Sequence, residues 1–266
     1  MLDIEFAQVT DPGKTRDHNE DYFGHVIPDS DARVRSHGWL FSLADGVGGH
    51  ACGEVASREA VETMLTGFRK APGSEPLNGL LTRLVQAANI RVYETGRSAS
   101  PGGTAMATTV VACALRFDRA VIAHVGDSRC YLIRRGHAKQ LTRDHTVVND
   151  QLRLGILTAR EAAENQNKHL LSRSVGTDLF VNVDTADIQI LPGDALLLCS
   201  DGFHGAVPEA QMGNIVNHQE DPKIAANKLV QLANELDGSD NISVQLVRIR
   251  NVERMGMYRG RPYKLR

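Results

Sequence analysis

The sequence predicts an α+β fold, a four-layer α/β/β/α sandwich in which two antiparallel sheets pack face to face and helices cover their outer faces. Three observations predict it. At least nine short apolar or alternating runs have the length and period of strands, too many for one small open sheet. The connections Arg116–Arg119, Gly126–Ser128 and Pro192–Asp194 are too short for a crossover helix, so the runs they join are expected to pair antiparallel. Three longer segments each carry one apolar face, which the outer surfaces of the sheets can bury.

In chain order the expected strands are Ile4–Val9, Tyr22–Ile27, Trp39–Ala44, Ala107–Leu115, Ala120–Val125, Arg129–Arg134, Thr185–Leu191, Ala195–Cys199 and Ile242–Ile249. The helix Glu54–Phe68 follows a glycine-rich loop. Pro76–Thr95 places Leu77, Leu80, Leu81, Leu84, Val85 and Ala88 on one stripe. In Pro222–Leu236, Asp221 is the expected N-cap, Pro222 takes the first helical position, and Ala225, Leu229, Leu232 and Leu236 are expected to face inward. Between Asp144 and Asp184 the pattern turns polar and partly helical, and Thr158-Ala159-Arg160-Glu161 reads as a capping box opening a short helix through Asn165. This insert, about residues 145–180, is expected to form a flap near the aspartate-bearing strand ends.

A chain of 266 residues with no linker-like stretch fits one large layered domain over residues 1–250, followed by a tail at 251–266. The tail carries Arg254, Arg259, Arg261, Lys264 and Arg266 against a single acid and is expected to be a solvated, partly disordered end. A hydrophobic content of 42%, a charged content of 23% and a net charge of −2 describe a globular protein without a nucleic-acid footprint. Cys52, Cys113, Cys130 and Cys199 have neither zinc-site nor disulfide spacing and are expected to be buried free thiols. No signal-like start or transmembrane run is present, so a cytoplasmic protein without membrane contact is expected.

Four aspartates each end an apolar run just before a small or turn-forming residue: Ala44-Asp45-Gly46, Gly126-Asp127-Ser128, Ser200-Asp201-Gly202 and Ser239-Asp240-Asn241. Any one of them is ordinary turn chemistry. Together they place carboxylates at strand ends that one sheet edge can gather, where a hard cation would offset their mutual repulsion. The segment Arg16-Asp17-His18-Asn19-Glu20-Asp21 adds an arginine fork suited to phosphate oxygens and two acids suited to metal-bound waters, though alone it could be a surface ion-pair cluster.

Taken in order, Arg16-Asp17-His18-Asn19-Glu20-Asp21, Ala44-Asp45-Gly46-Val47-Gly48-Gly49-His50, Gly126-Asp127-Ser128-Arg129, Leu141-Thr142-Arg143-Asp144-His145, Ser200-Asp201-Gly202 and Asp240-Asn241 resemble the PP2C (PPM) family of metal-dependent serine/threonine protein phosphatases, in its bacterial form. Lys168-His169-Leu170-Leu171-Ser172-Arg173-Ser174-Val175-Gly176 resembles the segment that closes the flap in bacterial members. The resemblance covers about residues 5–250.

It implies a two-ion Mn²⁺ or Mg²⁺ centre, with Asp45 bridging both ions, the Gly46 carbonyl completing one shell, and Asp201 and Asp240 holding the other ion. Asp21 and Glu20 would orient metal-bound waters, Arg16 would bind the substrate phosphate, and Asp127 would hold a third, weaker ion beside Asp201. Oxygen donors of this kind suit Mg²⁺ or Mn²⁺ rather than zinc or copper. The implied reaction is hydrolysis of phosphoserine and phosphothreonine by a hydroxide bridging the two ions. A monomer acting on phosphorylated proteins, opposite a bacterial Ser/Thr kinase, is the expected setting. Many eukaryotic members carry histidine after the Asp-Gly pair; this chain has Val47, which leaves His18, His50 or a metal-bound water as the leaving-group acid. A noncatalytic relative would be expected to lack some of these carboxylates, whereas a small-molecule phosphatase would share them.

Overall fold

Side chains alternate between the two faces of a strand, so a strand covered on both faces reads as an unbroken apolar run. The computed structural model, which describes residues 2–47, 52–73, 75–99, 106–258 and 261–264, shows this division directly. Its strands are β1 (Asp3–Asp11), β2 (Asp21–Val26), β3 (Trp39–Asp45), β4 (Val110–Arg116), β5 (Arg119–Val125), β6 (Arg129–Arg134), β7 (His137–Gln140), β8 (Asp184–Gln189), β9 (Ala195–Cys199), β10 (Ile242–Asn251), β11 (Met255–Tyr258) and β12 (Arg261–Lys264). The helices are α1 (Asp31–Ser36), α2 (Gly53–Lys70), α3 (Leu77–Ala99), α4 (Val147–Arg153), α5 (Ala159–Glu164), α6 (Asp201–His204), α7 (Glu209–His218) and α8 (Pro222–Leu236).

One sheet has the order β1-β10-β9-β6-β7 and the other β2-β3-β4-β5-β8, with every pairing antiparallel. In β9, Leu196 and Leu198 enter the core between the sheets while Leu197 and Cys199 enter the core beneath α6 to α8. In β3, Phe41 and Leu43 face the inter-sheet core, whereas Leu40 and Ala44 face α2 and α3. Three apolar cores therefore separate four layers. Each fully buried leucine contributes roughly 1.5–3 kcal/mol by leaving water. The stripe predicted for α3 is buried throughout, from Leu77 to Ala88. The Thr158–Glu161 capping box is present with both of its reciprocal bonds.

Four expectations need correction. Of the three short connections, only Arg116–Arg119 makes a hairpin; Gly126–Ser128 carries the chain from β5 in one sheet to β6 in the other, and Pro192–Asp194 does the same between β8 and β9. Three extended residues reach about 10 Å, the spacing of stacked sheets, so a short link can turn a corner between layers as readily as fold back within one. The tail is not without regular structure, since β11 and β12 pair as a separate two-stranded ribbon. In α8 the inward face drifts from the expected stripe: Ala226, Val230 and Ala233 join Ala225 and Leu229, while Leu236 is 52% exposed. Cys113, Cys130 and Cys199 are buried and free, but Cys52 is exposed at the start of α2.

The β5–β6 corner depends on Gly126, whose φ of 102° and lack of a Cβ are both needed; a Cβ there would stand 2.6 Å from Thr109 Cγ2. Gly126→Ala is expected to lower stability by about 1–3 kcal/mol. Urea unfolding with an unchanged midpoint would contradict that.

Candidate metal centre

The topology brings the predicted carboxylates to one edge of the sandwich. In the first sheet the end of β9 lies beside the start of β10, with Cys199 opposite Val244, so Asp201 and Asp240 follow and precede neighbouring strands. In the second sheet Asp21 at the start of β2 faces Asp45 at the end of β3. The β5–β6 corner delivers Asp127 to the same edge, with Arg129 opposite Cys199. Asp201 opens α6, whose first turn favours an acid.

The loop carrying Arg16 is laid against the turn carrying Asp240. Lys14 N–H donates to the Gly238 carbonyl at 2.7 Å, and the Thr15 hydroxyl donates to the Ser239 carbonyl at 2.6 Å. Asn241 works as a clasp: its amide donates to the carbonyls of Pro12 (3.0 Å) and His18 (2.9 Å), and its side-chain oxygen accepts from Glu20 N–H (2.8 Å). Arg16 Nη2 donates to Asp240 Oδ2 at 2.8 Å, with the guanidinium half exposed, so most of its fork remains free. Gly46 N–H donates to the Glu20 carbonyl at 3.1 Å, and a Cβ on Gly46 would come within 2.4 Å of the Gly53 carbonyl oxygen. Only glycine fits there.

Protein groups balance the charges of this edge only in part: Arg16 pairs with Asp240 and His169 lies beside Asp201, whereas Asp21 has no such partner among the described residues. Asp21 is 8% exposed and neither of its carboxylate oxygens has a hydrogen-bond partner among the described residues. The neighbouring hydroxyls of Ser200 and Ser243 are engaged with the Asn241 carbonyl and Thr10. Burial, opposed by those hydroxyls and helped by Asp201 and Asp240, pushes Asp21 up to about 7. Burial and then the charges of Asp21, Asp201, Asp127 and Asp240 push Asp45 well above the usual carboxylate range. Burial and Asp201 push Asp127 up to about 8. Glu20 is raised by burial and by Glu54. Asp201 is the exception: burial works against its charge, but a hydrogen bond from His169, the electrostatic influence of His204 and a hydrogen bond from Asp45 hold it low.

An orphaned buried carboxylate beside others pushed towards neutrality is an arrangement that a cation would stabilise. The donor set is all oxygen, with carboxylates and the Gly46 carbonyl, which fits Mg²⁺ or Mn²⁺.

A second group of possible ligands, His124, His145 and Asp184, has donor atoms within 4.8 Å of one another. It is already satisfied by protein. His145 Nδ1 accepts from Gly126 N–H at 3.1 Å, and Asp184 accepts from Arg173 at 2.8 Å and Arg143 at 3.0 Å. Burial opposes the Asp184 charge, but Arg173 and His145 hold it down to about 2. Burial and His124 push His145 down to about 4, so the ring is neutral. Two arginines exclude a cation, and the cluster instead ties the root of the 145–180 insert to the corner bearing Asp127.

Sequence reasoning did not assign a role to two side chains that the fold brings to this edge. His169, from the insert, places Nδ1 3.5 Å from Asp201 Oδ2, and Thr109 anchors Asp45 by accepting its N–H at 2.9 Å. Neither lies near its partner in sequence, and only the sheet corner and the returning insert unite them. Val47 is half-buried and cannot donate a side-chain proton; His18 is exposed, and Gly48, Gly49 and His50 lie outside the described residues.

Comparison with known proteins identifies the family. The family description of protein phosphatase 2C matches residues 14–241. The serine/threonine phosphatase stp of Listeria innocua is 36% identical over 95% of this chain and 96% of its own. The protein phosphatase PhpP of Streptococcus pneumoniae is 31% identical over 92% of this chain and 97% of its own. The S. agalactiae serine/threonine phosphatase structure superposes with a TM-score of 0.84 at 31% identity, covering 92% of this chain and 99% of the other. The catalytic domain of PstP, solved in complex with two manganese ions, gives 0.79 at 30% identity over 94% of this chain and 100% of the other. By sequence, fold and the carboxylate edge together, this chain belongs to the bacterial branch of the protein phosphatase 2C family, the metal-dependent serine/threonine protein phosphatases.

Proposed function

We propose that this chain removes phosphate from phosphoserine and phosphothreonine in proteins by direct attack of an activated water, using Mn²⁺ or Mg²⁺ held at the carboxylate edge. The observation that carries the reading is the convergence of Asp21, Asp45, Asp127, Asp201 and Asp240 without a compensating protein cation at Asp21 and Asp45. Asp45 would bridge two ions with the Gly46 carbonyl on one and Asp201 and Asp240 on the other; Asp127 would share a weaker third with Asp201. When bound, the ions neutralise the phosphate dianion and lower the pKa of the attacking water.

The protein's own groups then position and orient. Arg16, tethered to Asp240 by one N–H, has the rest of its planar fork for phosphate oxygens and stabilises the charge of the transition state. Asp21 and Glu20 would accept from waters at the metal site and fix their direction. Residues 1–250 act as one phosphatase domain, and the enzyme's natural counterpart is a Ser/Thr kinase, since only such a kinase makes this substrate.

A phosphothreonine peptide incubated with Mn²⁺ is expected to release phosphate, to stop doing so with EDTA, and to recover when Mn²⁺ is restored. Asp201→Asn is expected to reduce the rate at least about a hundredfold. Turnover that survives EDTA, or full activity in Asp201→Asn, contradicts the metal reading. Turnover of small phosphate esters with none of the peptide favours a small-molecule substrate instead.

A further inference from the structure

We propose that a second binding site lies at the end of the sandwich remote from the carboxylate edge: a cavity beside α1 that takes a small carboxylic acid with an apolar ring, the ring inside and the carboxylate against Arg33 and Arg69. The cavity has a volume of about 170 Å³ and is bounded by the end of β2, the β2–α1 loop, α1 and the last turn of α2. Strand β2 starts at Asp21 on the carboxylate edge and ends at Val26 in the cavity wall, so about 17 Å of strand separates the two sites.

The floor is apolar. Val26 is 8% and Phe68 1% exposed, and His37 meets Phe68 edge-on with ring centroids 5.8 Å apart. Both nitrogens of His37 are engaged: Nε2 donates to the Ala71 carbonyl at 2.7 Å, and Nδ1 lies 2.7 Å from the Ser36 hydroxyl. The imidazole therefore offers a ligand no free polar atom. An apolar cavity of about 150 Å³ holds a benzene ring, so the size suits one six-membered ring.

The rim is charged. Arg33 from α1 and Arg69 from the end of α2 both border the cavity, and neither guanidinium has a hydrogen-bond or ion-pair partner among the described residues. On the same α2–α3 side of the protein, Arg83 and Arg91 find Glu75 and Glu59. The acid on the rim, Asp29, accepts from the Ser30 hydroxyl at 3.1 Å, and two arginines against one acid leave the rim net positive. A planar guanidinium matches a carboxylate through two parallel hydrogen bonds. A bare anion would leave the floor empty, and an uncharged ring would leave both arginines unpaired.

Helix α1 points the same way. It has six residues, far fewer than a helix needs to persist alone in water, and none of its side chains is buried. It is held by the Ser30 cap and by Arg116, which donates to the Ser36 carbonyl at 2.7 Å. A ring seated against it would supply the apolar contact that the chain does not.

Titration of benzoate into the metal-free protein in EDTA, followed through the NMR signals of the Phe68 and His37 rings, tests the site without competition from bound metal. Benzoate is expected to shift both rings with a Kd of about 1 mM or below, which so few heavy atoms can supply. Benzamide keeps the ring without the charge and acetate the charge without the ring; each is expected to bind at least about tenfold more weakly. Arg33→Gln combined with Arg69→Gln should weaken benzoate at least about tenfold, and Arg69→Gln alone, an exposed substitution expected to fold, about threefold. Arg16→Gln, at the rival anion site, should leave benzoate binding unchanged. No shift of either ring, equal binding of benzamide or acetate, full affinity in the arginine variants, or loss of binding in Arg16→Gln would each overturn the proposal. None of these outcomes bears on the phosphatase reading, because the measurement uses neither metal nor phosphate.

Discussion

Asp45→Asn is expected to cut phosphate release at least about a hundredfold and, in the same protein freed of metal, to raise the melting temperature. The two effects have one cause. Asp45 sits at the focus of the carboxylate edge, where burial and then Asp21, Asp201, Asp127 and Asp240 all oppose its charge. With ions bound that concentration of charge would be useful, since Asp45 is the carboxylate proposed to hold both of them. Without them it strains the fold. An asparagine keeps the shape, removes the charge, and can donate to Asp201 in place of the protonated acid. Mn²⁺ should therefore stabilise the parent and have little effect on the variant. Differential scanning fluorimetry in EDTA and in Mn²⁺, beside a peptide phosphatase assay, checks both halves; a metal-free variant that melts below the parent would show that the Asp45 charge is not strained.

The metal-free protein is expected to lose stability as pH rises from about 6.5 to 8, and Mn²⁺ is expected to reverse that loss. Asp21 and Asp127 are raised to about 7 and about 8, against about 3.9 in an unfolded chain. A carboxyl raised in the folded state binds more protons folded than unfolded, so its contribution is full below pH ~4 and disappears as pH rises through its folded value. His145 and His204 have the opposite sense: burial first, with His124 for the former and Arg129 for the latter, lowers both to about 4. Their contribution grows between about pH 4 and the unfolded value near 6.5, offsetting the carboxylates there. Above about 6.5 the raised carboxylates still change, with a slope of up to about 1.4 kcal/mol per pH unit for each one still protonated, and His169, raised by its hydrogen bond to Asp201, loses its contribution in the same direction. Ions at a hundredfold excess over Kd restore about 2.7 kcal/mol per site, and more as pH rises, because they bind the deprotonated form. Urea midpoints in EDTA that are flat across this range would remove the basis for the expectation.

How much of this was legible in the chain follows from how local each signal is. The stripe of α3, the Asp221 cap with Pro222, the Thr158–Glu161 capping box and the unbroken apolar run of β9 are set by neighbours a few residues away, and each is present. The carboxylates could be nominated because a strand that ends in Asp before a turn leaves a visible mark in sequence. Short edge elements left less of one: β7 has four residues with no buried side chain, and α7 buries only Met212, Gly213 and Val216. The two three-residue links at Gly126–Ser128 and Pro192–Asp194 were misjudged because length alone does not distinguish a hairpin from a corner between sheets. The distinction depends on which neighbouring strand completes the ladder, and that strand is far away in sequence.

By itself, then, the sequence determined the layer type, the elements that fill it, the kind of donor at each strand end and, through its ordered motifs, the family. Tertiary structure decided which donors meet. Asp21 faces Asp45 through the β2–β3 register, Asn241 clasps the Arg16 loop across more than two hundred residues, and His169 reaches Asp201 only because the insert returns to its own root. The physical reason is one of range: hydrogen-bonded turns and apolar periodicity act between near neighbours, whereas the energy of a carboxylate depends on every charge within a few ångströms, whatever its place in the chain.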